Sequence, residues 1–198
     1  MIRLDQALVE RALCDSRERA KRAILAGQVR VNGHPANKAS DAVRASDEIV
    51  LIAPEKYVSR GGHKLEHALV HFQLAVTGLT ALDLGASTGG FTDCLLQHGA
   101  AKVFAVDVGQ GQFAWKLRRD DRVVVMEKTN ARYLKPENFP TPADLAVVDC
   151  SFISLKKILP AAVPLLKPDG RIVALIKPQF EAGKAEADKG RGLARFKL

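Results

Sequence analysis

Leu82-Asp83-Leu84-Gly85-Ala86-Ser87-Thr88-Gly89-Gly90-Phe91 is an apolar run that breaks into a glycine-rich loop and resumes as an apolar segment. In open α/β sheets such a strand-to-loop transition is where nucleotide-like ligands bind, because glycines let the backbone approach the ligand. Twenty residues on, Val103-Phe104-Ala105-Val106 ends in Asp107, a carboxylate at the tip of the next strand, where it can accept hydrogen bonds from ribose hydroxyls. The loop lacks the Gly-x-Gly-x-x-Gly spacing of dinucleotide enzymes and has no Gly-Lys-Ser/Thr of a P-loop.

A site for S-adenosylmethionine fits this pattern better, and the surrounding chain supports the same architecture. Strands are predicted at Thr80 to Leu84, Lys102 to Val106, Val123 to Met126, Leu145 to Val148 and Arg171 to Ile176, with helices between most of them. Their near-continuous apolar character suits a parallel sheet covered on both faces, an α/β Rossmann-like fold. Lys167-Pro168-Asp169-Gly170 reads as a turn before the fifth strand, and Pro178 biases Lys177 towards extended geometry after it. Asp83, Asp107, Asp149 and Lys177 are thereby expected on one rim of the sheet.

With 198 residues, 47% hydrophobic and 26% charged, the chain can bury one substantial core and a small accessory domain. No apolar run approaches the ~20 residues that span a bilayer, and the N-terminus has no signal-peptide pattern, so a cytoplasmic protein without a membrane partner is expected. Cys14, Cys94 and Cys150 are odd in number and lack Cys-x-x-Cys spacing, which indicates reduced thiols and no metal site. The net charge of +8 favours a polyanionic partner.

Much of that charge lies near the N-terminus, where Arg17, Arg19, Lys21 and Arg22 crowd one stretch. Leu4, Ala7, Leu8 and Ala12 recur at helical spacing; a second helix starts at Ser16 as N-cap and stops at Gly27, with Ala20, Ala23 and Ile24 on its apolar face. Val29-Arg30-Val31 followed by Asn32-Gly33 signals a hairpin, and Asp47 to Ile52 another strand. Arg3-Leu4-Asp5, Ser16-Arg17, Ala20, Ile24 and Gly27-Gln28-Val29-Arg30-Val31-Asn32-Gly33 resemble the S4 RNA-binding domain over residues 1 to 53. That resemblance implies a small α+β module in which Arg3, Arg17, Arg19, Lys21 and Arg22 contact RNA phosphates. Pro54 to Val58 reads as a linker to a domain over 59 to 198.

Methyl transfer to an alcohol requires in-line approach and removal of the hydroxyl proton. A lysine next to another cation can take that proton while a carboxylate orients it, so two lysines and an aspartate make a workable set. Ser59-Arg60-Gly61-Gly62-His63-Lys64-Leu65, Asp83 to Thr92, Val148-Asp149-Cys150-Ser151-Phe152-Ile153-Ser154 and Ile176-Lys177-Pro178-Gln179-Phe180-Glu181 resemble the TlyA, or hemolysin A-like, family. These are S4-linked, FtsJ-like ribosomal RNA methyltransferases.

The resemblance implies 2'-O-methylation of cytidine in ribosomal RNA or ribosomal subunits, with Lys64, Asp149 and Lys177 as catalytic residues and Lys177 as proton acceptor. It implies that Gly85, Ala86, Ser87 and Gly89 surround the methionine part of S-adenosylmethionine, with Asp83 in the same loop motif, Asp107 at its ribose and Asn130 near its adenine. Arg60 joins the RNA-contacting cations.

The family continues through further strands and a fourth catalytic residue, a glutamate that Glu181 does not replace. From Gly183 to Leu198 the pattern fades, so the chain reads as a truncated or frameshifted member with a C-terminally incomplete sheet and weakened activity. The alternatives are a non-catalytic S4-type RNA-binding or ribosome-assembly protein, and methylation of a base. Base methylation lacks the prolines of Asp-Pro-Pro-Tyr motifs and a second thiol near Lys177.

Overall fold

The computed structural model describes residues 1–52 and 55–181. The chain divides into two compact units, Met1–Lys56 and one that begins at Tyr57. Tyr57 is buried in the core of the second unit, and Val58 packs on that core and donates its backbone N–H to Asp93. Both residues were expected in a linker; their burial assigns them to the second unit. Pro54 of that expected linker, Ala53 at the end of the expected S4-like domain, and the tail from 182 onward lie outside the described residues.

The first unit runs β1 (Ile2–Arg3), α1 (Leu4–Glu10), α2 (Arg17–Leu25), β2 (Val29–Val31), β3 (His34–Pro35), β4 (Ala42–Val43) and β5 (Ile49–Leu51). Ser16 caps α2 by accepting from Arg19 N, and Gly27 ends the segment at φ +70°. Asn32 and Gly33, both at positive φ, form the tight turn between β2 and β3, which pair Val31 with His34. Leu4, Leu8, Ala20, Ile24 and Val29 close the core. Each buried Leu or Ile contributes about 1.5–3 kcal/mol.

The second unit continues with α3 (Gly61–His71), β6 (Thr80–Leu84), α4 (Gly90–Gln97), β7 (Lys102–Val106), α5 (Trp115–Arg118), β8 (Val123–Met126), β9 (Ala143–Val148), α6 (Leu155–Ala162), β10 (Leu166–Ala174) and α7 (Pro178–Glu181). Its sheet has the order β10-β9-β6-β7-β8 with every pairing parallel. From β6 the chain moves outward through β7 and β8, then crosses to β9 on the other side, so β6 stands at a topological switch point. Ligands bind at the carboxyl ends of strands flanking such a point.

Alternation along the strands feeds two cores. Ala81, Val103, Ala105, Leu145 and Val147 face α3 and α4, while Leu82, Leu84, Phe104, Val106, Ala146 and Val148 face α6.

The fifth strand differs from expectation. It starts at Leu166 and ends at Ala174, and the predicted turn at 167–170 is carried inside it as a register shift between Leu166 and Arg171. Leu166 already pairs with Ala143, while a Cβ on Gly170 would come within 2.8 Å of Leu166 Cβ, so the chain folds tightly on itself without leaving the sheet. Lys177 lies beyond the strand end, just before α7.

Candidate active site

At the end of β6 the loop turns on Gly85 (φ +89°) and Ser87 (φ +50°) before Gly89 (φ +93°) opens α4. A Cβ on Gly85 would lie 3.0 Å from Cys150 N and 3.1 Å from the Asp149 carbonyl, so this backbone meets the loop after β9 with no room for a side chain. Gly89 serves a different neighbour: its Cβ would strike Phe113 and Leu117, which places it under the α5 segment.

Asp107, just past β7, holds this loop. Its Oδ2 accepts from Ser87 N at 2.8 Å, and its Oδ1 accepts from Gly109 N at 2.7 Å and Gln112 Nε2 at 3.1 Å. Asn130 Oδ1 accepts from Arg132 N, capping the 3-10 turn at Ala131–Tyr133. A cavity of about 470 Å³ runs between these groups, lined by Gly85, Ser87, Asp107, Asn130 and the apolar Val108 and Ile158. Its size and mix of apolar wall and few polar groups suit a nucleoside-sized ligand.

A second cavity, of about 320 Å³, is lined by Arg60, Lys64, Ala86, Phe91, Asp149 and Lys177. Gly85, Ser87, Asp149 and Ser151 border both cavities. Lys177 Nζ lies 2.6 Å from Asp149 Oδ1, and donates to Ser151 Oγ at 2.7 Å and to the Asp149 carbonyl at 3.1 Å. The ammonium thus has two hydrogen-bond acceptors, the Asp149 carbonyl and Ser151 Oγ, and an ion-pair partner in the Asp149 carboxylate. α3 brings Lys64 to the same cavity. Phe91 is buried in the core and also touches this wall.

Three expectations change in detail. Asp83 is fully buried and borders neither cavity, because strand alternation puts it on the Ala81 face beneath α4. There Thr92 Oγ1 donates to it at 2.7 Å, and burial pushes its carboxyl up to about 7. Arg3 and Arg17 both serve the buried Asp5, at 3.0 and 2.9 Å, and hold its carboxyl down at about 2, the Arg3 hydrogen bond contributing most. Arg19 pairs with Asp15, while Lys21 and Arg22 are exposed on α2.

Cys150 donates to the Leu84 carbonyl at 3.4 Å, and burial, aided by Asp83, raises its thiol to about 11. A thiol held in that range is a poor nucleophile at neutral pH. Glu181 accepts from Ser154 Oγ and Leu155 N and caps α6.

Ser151, Gln112 and Phe152 were not singled out. Ser151 stands two residues past Asp149 and was findable as the hydroxyl next to the candidate carboxylate. Phe152 is 91% exposed at φ +61°, its ring 5.2 Å from Phe180, and strained backbone of that kind leaves no trace in composition. Among the described residues no group of three or more His, Cys, Asp or Glu could hold a metal, and no helix is long and apolar enough to cross a membrane.

Residues 57–197 match the family model of the FtsJ-like methyltransferases, and residues 2–49 that of the S4 domain. The 16S/23S rRNA (cytidine-2'-O)-methyltransferase TlyA of Mycobacterium tuberculosis is 51% identical over 95% of this chain and 71% of its own length. Hemolysin A of Brachyspira hyodysenteriae is 45% identical over 96% of this chain and 79% of its own. Among solved structures, a candidate hemolysin from Streptococcus thermophilus superimposes with a TM-score of 0.67 at 47% identity, covering 93% of this chain and 68% of that one.

Proposed function

Because this chain belongs to the FtsJ-like methyltransferase family and carries an S4 domain ahead of that fold, we propose that it methylates a ribose 2'-hydroxyl of ribosomal RNA, on cytidine. The observation that carries this reading is the Lys177–Asp149 ion pair of 2.6 Å at the boundary between two adjoining cavities.

S-adenosylmethionine fits the larger cavity: Gly85 offers bare backbone, Asp107 a carboxylate at the strand tip, and Val108 and Ile158 apolar wall for a flat ring. When bound it supplies a methyl group whose transfer to an oxygen leaves a neutral thioether. Gly85, Ser87, Asp107 and Asn130 would hold it, with Ala86 reaching it from the loop. Asp83 and Gly89 act from beneath, by fixing the loop and the start of α4.

The chain's own contribution is position and proton handling. Lys177, as the neutral amine, accepts the ribose proton and becomes the ammonium, which the Asp149 carboxylate 2.6 Å away then stabilises and orients, with Ser151 Oγ on a further side of the same group. Lys64 and Arg60 enter the smaller cavity as cations, one to tune the pair and hold the ribose and the other to meet phosphate. Among the α2 cations of the S4 unit, Lys21 and Arg22 are exposed and available to RNA, with Arg19 beside them and paired to Asp15, while Arg3 and Arg17 are shared with Asp5. A purely RNA-binding role has no observation of its own in its favour.

Nucleoside mass spectrometry of unmodified bacterial ribosomal subunits, incubated with the protein and S-adenosylmethionine, tests the proposal. New 2'-O-methylcytidine, absent with Lys177→Ala, is the expected result. Methylated base with no methylated ribose would overturn it.

A further inference from the structure

Arg60, Lys64, His67 and His71 stand at intervals of four, three and four residues along α3. Arg60 itself has right-handed helical geometry (φ −57°, ψ −19°), so the helix register extends to it. At 3.6 residues per turn these four positions fall within about 60° of arc. Arg60 and Lys64 line the smaller cavity, and the row leads away from it along the exposed side of the helix.

The far end of the row is built of exposed rings. His67 and His71 stack nearly parallel, 6.1 Å apart and 6° from coplanar directions, and His71 meets Phe72 edge-on at 4.9 Å. Phe72 is 62% exposed. The one acidic residue of α3, Glu66, is off this row, on the flank, 3.8 Å from His63. The row therefore combines cations at one end with exposed π-faces at the other and carries no carboxylate.

From this we infer that the Arg60–His71 row, ending at Phe72, is the track that holds the RNA strand flanking the target nucleotide. The inference rests on the proposed RNA substrate and deepens it. Arg60 and Lys64 meet the phosphates next to the reacting ribose, the two imidazoles donate to phosphate oxygens or stack on unpaired bases, and Phe72 ends the track as a stacking platform. Single-stranded RNA is the polymer that presents both partners at this spacing, since its bases are free to splay.

The test compares wild type with H67E/H71E and H67K/H71K in two measurements: methyl transfer to unmodified ribosomal subunits, and equilibrium binding of those subunits across a salt series. H67E/H71E is expected to raise the KM for subunits about tenfold and H67K/H71K to lower it and steepen its salt dependence, with kcat and S-adenosylmethionine affinity unchanged in both. An unchanged KM and unchanged binding in H67E/H71E, in a preparation whose wild type methylates, would overturn the track and leave the proposed function intact. If wild type transfers no methyl group, the function fails, and the binding series alone decides the track by the same criterion.

Discussion

Lys177 Nζ and Asp149 Oδ1 are 2.6 Å apart although 28 positions separate the residues. The parallel register of β9 and β10, which pairs Val148 with Ala174, brings the two loops together. The pair is thus a product of sheet geometry, and its chemistry can be removed without touching the core.

Lys177→Ala and Asp149→Ala should each lower kcat by about 10²–10⁴-fold, the range for loss of a positioned proton acceptor or of the group that orients it. S-adenosylmethionine affinity should stay within about threefold in Lys177→Ala, whose side chain borders only the smaller cavity, whereas Asp149 borders both. Single-turnover methylation together with calorimetric titration of the cofactor checks both. Full turnover in either variant would remove the residue from the mechanism.

Asp107→Ala should weaken S-adenosylmethionine binding by about tenfold or more, since it removes the carboxylate at the strand tip and also frees Ser87 N and Gly109 N. At saturating cofactor most of kcat should return. Titration of the cofactor against the variant, with kcat extrapolated to saturation, separates the two effects.

The Asp83 carboxyl has its folded value at about 7 against an ordinary 3.8, raised chiefly by burial. The folded state therefore keeps a proton that the unfolded chain has released, and stability should fall as pH rises from about 4 to about 7, then level off. Asp83→Asn should flatten that slope. Denaturant midpoints of the second unit at pH 5 and pH 8 measure it, and an equal slope in the variant would remove Asp83 as its source.

Arg17 and its neighbours on α2 should separate into two classes. Arg17→Ala strips one of two partners from the buried Asp5 and should cost stability as well as RNA affinity, about 1–3 kcal/mol. Lys21→Glu and Arg22→Glu, on exposed positions, should reduce RNA affinity while leaving the melting temperature within a degree or two. Because Asp5 is held at about 2, the stability its ion pairs supply is present above about pH 4 and lost as pH falls towards 2. Parallel melting curves and RNA titrations distinguish the classes.

The sheet was legible because its strands are short, apolar and flanked by turn residues: Thr80–Leu84, Lys102–Val106 and Val123–Met126 lie where the pattern puts them. The rim residues Asp107 and Asp149 followed from strand ends alone. Asp83 did not, because its position one residue before the strand's last was read as rim and the pleat turns it inward. Likewise Arg17 looked like a free cation, since Asp5, twelve positions away, becomes its partner only when α1 and α2 pack. Local pattern reports where a residue sits along an element; which neighbour it meets depends on packing between elements.

Gly85, Ser87, Asp149 and Ser151 form a party wall between two chambers. Whatever occupies one chamber sets the position of atoms that face the other, so the two occupants are energetically joined. Any factor by which the methyl donor alters affinity for the nucleic acid must return, in equal measure, as the nucleic acid's effect on the donor.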